Sequence, residues 1–346
     1  MPIKTLLAIV LLTITLGVTA ADVALNPNHP KQYTVVKGDT LWDIAGRFLR
    51  DPWRWPDVWQ ANPQIENPHL IYPGDQISLS YDKDGKPLIN VNRGRPTVKL
   101  SPTIRATKLD RAIPTIPLDA IQQFLTRPLV VNKDELNNAA YIVSPADEHL
   151  VVGAGDRIYV RDIKGQDTTK FTIFRQGDEL IDPDTKESLG FNAVYVGEST
   201  VERFGDPSTL RVDRTQRYTI TGDRLLPLDE SDVDQFFMPS APDSKIDGSI
   251  LAVNDGVANI GQYDVIIINK GQRDGIKRGH VLEIYQTGET ILDSVTKERK
   301  DTVELPDEKA GILMVFRVFE KVSYALVMKA TRTFHVLDRV RNPENL

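Results

Sequence analysis

The chain of 346 residues reads as a mainly β protein: a small β-α-α-β unit near the N-terminus, a proline-rich linker, then one or two β-rich domains. Three observations carry that reading. From Ala139 onward, short β-branched runs with period-two alternation recur, among them AYIVS, KFTIFRQG, FNAVYVGE, DVIIIN, HVLEIY, ILMVFRVF and SYALVMKA, which is the pattern of strands rather than helices. All four tryptophans, Trp42, Trp53, Trp55 and Trp59, crowd into one stretch upstream of those runs. Between the two, Ser80–Pro128 holds six prolines and one phenylalanine, the composition of an extended spacer.

Taken in order, MPIKTLLAIVLLTITLGVTA has one lysine, an apolar run from Leu6 to Val18 and small residues before Ala21. It reads as a secretory signal peptide over 1–20, its apolar run being shorter than the ~20 residues that span a bilayer. The β-α-α-β unit covers 31–80. YTVVKGDTLWDIAGRFL predicts a strand from Tyr33, a turn at Lys37-Gly38, a helix cap at Asp39 or Thr40, and an apolar helix face of Leu41, Ile44, Ala45 and Phe48. Pro56 and Asp57 suit the first turn of a second helix, and LIYPGDQISL predicts the closing strand.

The linker spans 81–130. Its basic residues between Lys83 and Arg111 read as a solvated spacer rather than a site for an anionic polymer or surface, and no nucleic acid is expected as a partner. PTIPLDAIQQFL interrupts it, placing Ile116, Leu118, Ile121, Phe124 and Leu125 on one face of a short helix that docks either on its own domain, the reading adopted here, or on a partner. A β-rich domain over 131–228 and a second over 249–346 follow, separated by the acidic stretch Leu228–Ser249. Gly155-Asp156-Arg157, Gly222-Asp223-Arg224 and Leu337-Asp338-Arg339 read as turns in which aspartate bonds the following amide.

Chemistry is constrained mostly by exclusion. With no cysteine there is no disulfide, thiolate metal site or cysteine nucleophile. His149, His280 and His335 are scattered, with no H-x-H or H-E-x-x-H pattern and no G-x-S-x-G elbow. Glu198-Ser199 falls in a β run and nominates nothing. No catalytic residue, metal site or cofactor is expected, and the chain is read as a non-enzyme.

YTVVKGDTLWDIA and NPHLIYPGDQISL, in this order and separation, resemble the two ends of the LysM domain. The resemblance implies binding of N-acetylglucosamine-type glycans, including peptidoglycan strands, in a shallow groove between two loops. Carried over by position, the first loop is Gly38, Asp39, Thr40 and Leu41, and the second is Asn67, Pro68, His69, Leu70 and Ile71. Backbone amides there would bond acetamido groups while apolar walls receive methyls and ring faces. Trp42 and Trp59 read as packing; Trp53 and Trp55 either widen the groove, face a partner or join the core.

NKGQRDGIKRGHVLEIY resembles the C-terminal β domain of the flagellar assembly protein FlgT. With the LysM-like unit and the closing block GILMVFRVFEKVSYALVMKATRTFHVLDRVRNP, the chain resembles the type IV pilus secretin-associated protein family. That resemblance implies a periplasmic protein with two partners, peptidoglycan glycan strands and the outer-membrane pilus secretin, arrayed in several copies around the ring. Strand edges of the β domains are expected to carry the protein contact. The alternatives are a peptidoglycan-targeted hydrolase, or a wall-binding part of a flagellar or secretion-system ring.

Overall fold

The computed structural model describes residues 23–59, 71–83, 85–92, 112–125, 130–146, 152–228, 236–253, 259–293 and 301–344. The expected signal peptide, linker residues 84, 93–111 and 126–129, and Asn67, Pro68, His69 and Leu70 lie outside them. The protein is mostly β, with helices concentrated in the N-terminal region. No helix among the described residues is long and apolar enough to cross a membrane.

The N-terminal unit contains β1 (Gln32–Thr34), α1 (Leu41–Phe48), α2 (Trp55–Trp59) and β2 (Gln76–Tyr81). Helix α1 starts where Thr40 sits in an extended conformation and its Oγ1 accepts the Asp43 amide at 3.1 Å. It ends where Leu49 returns to an extended conformation. Between these stops, the apolar face of Leu41, Ile44, Ala45 and Phe48 is buried. The start of the proline-rich segment is not spacer: β3 (Pro87–Asn92) pairs antiparallel with β2 and makes the sheet three-stranded. Further along, α3 (Leu118–Leu125) buries Ile121, Phe124 and Leu125 against the rest of the chain. Each such side chain contributes about 1.5–3 kcal/mol on leaving water. It docks on its own protein.

All four tryptophans are buried, so none widens a groove or faces solvent. They divide between two cores. Trp55 and Trp59 meet edge to face at 5.9 Å inside the N-terminal unit. Trp42 and Trp53 leave that core and join α3 and C-terminal strands in a shared cluster.

Next come β4 (Val130–Val131), α4 (Lys133–Asn138), β5 (Ala140–Pro145), β6 (Arg157–Arg161), β7 (Lys170–Ile181), β8 (Ser188–Arg203), β9 (Ser208–Thr215) and β10 (Arg224–Pro227). Their order is β4-β8-β7-β10-β5-β6-β9, and a further β8–β9 pairing closes six of them into a ring. The last group is β11 (Asp247–Val253), β12 (Val265–Ile268), β13 (Val281–Gln286), β14 (Thr290–Leu292), β15 (Thr302–Glu304), β16 (Glu308–Val318), β17 (Ser323–Ala330) and β18 (Arg339–Arg341). It forms a closed barrel in the order β11-β12-β17-β16-β13-β18, with β14 and β15 a separate ribbon.

The two rings are the same ring. Replacing β5-β6-β9-β8-β7-β10 by β11-β12-β17-β16-β13-β18 reproduces every neighbour relation. Register agrees as well: Arg157 pairs with Arg211 where Val265 pairs with Leu326, and each first residue follows a turn aspartate. The chain therefore holds two rings of one topology, a likeness between the two β-rich segments that the sequence pattern did not reveal. Closure also removes most of the free strand edges that a strand-pairing partner would use.

A recurring turn builds both rings and the N-terminal unit. Aspartate accepts the amide three residues before it, not the following one: Val36 to Asp39 at 2.8 Å, Tyr72 to Asp75 at 3.0 Å, Gly153 to Asp156 at 2.8 Å, Ile220 to Asp223 at 2.9 Å, Gly261 to Asp264 at 2.8 Å and His335 to Asp338 at 2.7 Å. The reason is a turn whose third residue takes positive φ, swinging the aspartate back over the turn entrance. Gly38 (φ 100°) and Gly155 (φ 95°) fill that third position, but in the second barrel Tyr263 holds it at φ 69°.

The tip of the β7–β8 hairpin clamps the second barrel. Asn269 Nδ2 donates to Asp182 at 2.9 Å, Arg339 donates to Asp184 at 3.0 Å, and Glu187 meets Arg273 at 2.9 Å and Lys321 at 2.7 Å.

Candidate functional site

The first expected loop lies at the mouth of an open groove of about 900 Å³, where Gly38, Asp39 and Thr40 form part of one wall. Three local devices fix that wall. Gly38 has the positive φ that the turn demands and nothing within 4 Å of where a Cβ would stand. Asp39 accepts both the Val36 amide and the Tyr33 hydroxyl, at 2.8 and 2.9 Å. Thr40 donates its hydroxyl to Asp43 at 2.7 Å while capping α1. Burial, followed by the bond to Asp39, raises the Tyr33 phenol above its ordinary value and keeps it a neutral donor.

Leu41 and Ile71 differ in kind. Their side chains are buried in the N-terminal core, so only their backbone groups are available for recognition. Those groups are engaged. The Leu41 amide donates to the Pro114 carbonyl at 2.9 Å, the Trp42 amide to the Thr115 carbonyl at 3.1 Å, and the Ile71 carbonyl accepts the Ile113 amide at 2.9 Å. Two of the four amides that an α-helix leaves unpaired at its start are thus satisfied by a segment from beyond the unit. Gly38, Asp39 and Thr40 line the groove, whereas Leu41 and Ile71 do not and are linked to it only through their bonds to Pro114 and Ile113; Asn67, Pro68, His69 and Leu70 lie outside the described residues.

Sequence reasoning missed the other wall. Tyr263 and Phe236 come from the C-terminal half, and residues 112–115 and 117–119 complete the lining. No local pattern links Tyr263 to Gly38, because barrel closure and α3 docking bring them together. Tyr263 is 38 % exposed. Burial, then the Asp43 carboxylate, raises its phenol, so it too stays a neutral donor. Chemically, the lining combines a turn backbone and the Tyr263 ring and hydroxyl with the charged Lys37, Asp43 and Asp119, hydrogen-bonding groups and an aromatic face that a polyhydroxylated ligand can use.

Residues 33–80 match the LysM domain family. A stretch of 60 residues is 42 % identical to the uncharacterized protein YqbP of Bacillus subtilis (strain 168), a match covering 14 % of this chain and 27 % of that protein. The match spans little more than a quarter of that relative's length. The chain carries a LysM domain, a peptidoglycan- and carbohydrate-binding module that is not itself catalytic, and it is of the cell-wall-associated, extracellular or periplasmic kind.

Proposed function

We propose that this chain is a non-catalytic periplasmic protein that holds peptidoglycan glycan strands in the groove at Gly38–Thr40, with the loop ending at Ile71 as the second wall. The groove carries this reading: it is lined by the first LysM loop at Gly38–Thr40, offers the Tyr263 hydroxyl beside the polar Lys37, Asp43 and Asp119, and has the Tyr263 ring available for a sugar face. Co-sedimentation of the full chain with purified sacculi tests it. Pelleting that a soluble N-acetylglucosamine tetramer competes away is expected, and a full chain that stays in the supernatant at every sacculus concentration contradicts it.

The barrels supply the protein contact in this proposal, the partner being the outer-membrane type IV pilus secretin, with the N-terminal leader directing export. Support is the resemblance of the C-terminal blocks to the secretin-associated family and to the FlgT β domain. A single LysM domain offers little contact area, so copies arrayed on a ring would bind the wall by avidity. Affinity capture with the full chain decides the machine: recovery of the secretin supports this partner, and recovery of a flagellar or secretion-system ring replaces it.

A further inference from the structure

We propose that residues 112–116 form an intramolecular strap lying in the LysM carbohydrate groove, and that glycan binds by displacing it; this rests on the glycan-binding reading above. Three of its residues bond both stretches that the LysM resemblance nominates, Pro114 and Thr115 accepting the Leu41 and Trp42 amides at the start of α1 and Ile113 donating to the Ile71 carbonyl, while residues 112–115 line the groove beside Gly38–Thr40. An acetamido group is itself an amide, with one carbonyl acceptor and one N–H donor. The strap's peptide groups therefore fill the hydrogen-bonding places an N-acetylated sugar would take.

Side chains complete the imitation. Ile113, 7 % exposed, packs on the N-terminal core at the groove and takes the apolar place of an acetamido methyl or ring face, while Ile116 is fully buried in the cluster shared with the second barrel and anchors the segment. Pro114 and Pro117 restrict the backbone, so ordering the segment costs little. One feature marks it as an imperfect occupant. Thr115 is 0 % exposed, and its hydroxyl has no hydrogen-bond partner among the described residues, a penalty that a hydrated, displaced strap sheds.

The strap continues through Pro117 into α3, whose Phe124 packs on Phe316 and Tyr324 of the second barrel and whose Phe124 carbonyl accepts Arg317 at 2.8 Å. Cover of the Leu41, Trp42 and Ile71 backbone groups and docking on the barrel are thus made by one continuous segment. With the strap on the Leu41, Trp42 and Ile71 backbone groups, apparent affinity is the intrinsic affinity reduced to the fraction of molecules in which the strap is out.

Hydrogen exchange on the intact protein, with and without saturating N-acetylglucosamine tetramer, tests this, together with calorimetric affinities of the wild type and Ile113→Asp. Tetramer is expected to speed exchange across 112–116 while Leu41 and Trp42 stay protected by the new ligand. Ile113→Asp is expected to bind at least about tenfold more tightly, because its strap no longer competes. If tetramer binds while exchange over 112–116 is unchanged or slowed, the strap is a fixed part of the site and the proposal falls, though glycan binding stands. If neither protein binds, the glycan reading fails and takes the strap with it. Should Ile113→Asp not fold, the exchange of the unaltered protein decides.

Discussion

The two barrels share every strand neighbour, yet on the equivalent strand pairs β6–β9 and β12–β17 one wears a polar coat and the other an apolar one. After the turn aspartate, the first barrel runs Arg157-Ile158-Tyr159-Val160 and the second Val265-Ile266-Ile267-Ile268. Across the ladder, Thr209, Arg211 and Asp213 of the first match Tyr324, Leu326 and Met328 of the second. Inward positions are alike in both: Ile158, Val160, Leu210 and Val212 in one core, Ile266, Ile268, Ala325 and Val327 in the other. Only the outward positions differ. In the second barrel they form a cluster with Trp42, Trp53, Ile121 and Phe124, under the LysM domain and α3. A strand buried on both faces is apolar throughout, whereas a strand with one wet face alternates. The coat thus records what each barrel carries.

The largest effect is expected from exchanging coats. Leu326→Arg installs the residue the first barrel has at that position, but under α3 it buries an unpaired charge, costing about 3–5 kcal/mol. Thermal unfolding should show a collapse of stability or release of the LysM domain to proteolysis. The reciprocal Arg211→Leu replaces an exposed residue whose ion pairs are long, 3.9 and 3.7 Å, so it should stay within about 0.5 kcal/mol of wild type. Equal costs for the two would erase the distinction between the barrels.

The turn aspartates give a smaller contrast. Asp223 accepts Ile220 and also makes a two-pronged pair with Arg175 at 2.8 and 3.0 Å. Asp338 accepts His335 and Thr287 amides and, among the described residues, pairs with no arginine. Asparagine retains an amide acceptor while losing charge. Asp223→Asn should therefore cost more than Asp338→Asn, within about 1–3 kcal/mol for a hydrogen bond to a charged group. Denaturant midpoints compare them directly.

A pH effect at the clamp between the barrels is smaller again. Hydrogen bonds from Arg273 and then Lys321 lower the Glu187 carboxyl from 4.5 to about 2. A folded-state value below the unfolded one adds stability that is complete above about 4.5 and is lost as pH falls through about 2. The melting temperature of Glu187→Gln should accordingly fall less than that of wild type between pH 5 and pH 2. An identical fall in both would mean that the clamp contributes nothing.

How much of this was legible in sequence depends on the range of the interaction. The strands of both rings stood out as apolar runs, and the α1 cap and apolar face were readable because their partners lie within a few residues, as Thr40 and Asp43 do. The α3 face was readable from Ile121, Phe124 and Leu125 for the same reason. The shared ring topology was harder, since β10, β11 and β18 are short or weakly patterned and only the ladder registers align the two halves. The contrast between VIII and RIYV was present as a solid run against a broken one, but its meaning needs the cover to be known. Least legible was the strap, because it acts through backbone carbonyls at Pro114 and Thr115 that any residue would supply. Tyr263 was invisible as a groove residue, since nothing local ties a barrel turn to Gly38.

Tyr263 also offers the most direct test. It holds, at φ 69°, the turn position that Gly155 holds in the first barrel at φ 95°. A non-glycine residue in that region carries strain on the order of 1–3 kcal/mol, retained where surroundings or function require it. Calorimetric titration of intact wild type and Tyr263→Gly with N-acetylglucosamine tetramer, alongside their melting temperatures, measures both sides of that exchange. The account predicts saturable binding that weakens several-fold in Tyr263→Gly while the melting temperature holds or rises. Binding unchanged by the substitution, or no saturable heat from wild type and Ile113→Asp alike, would contradict a glycan groove shared by the LysM domain and the second barrel.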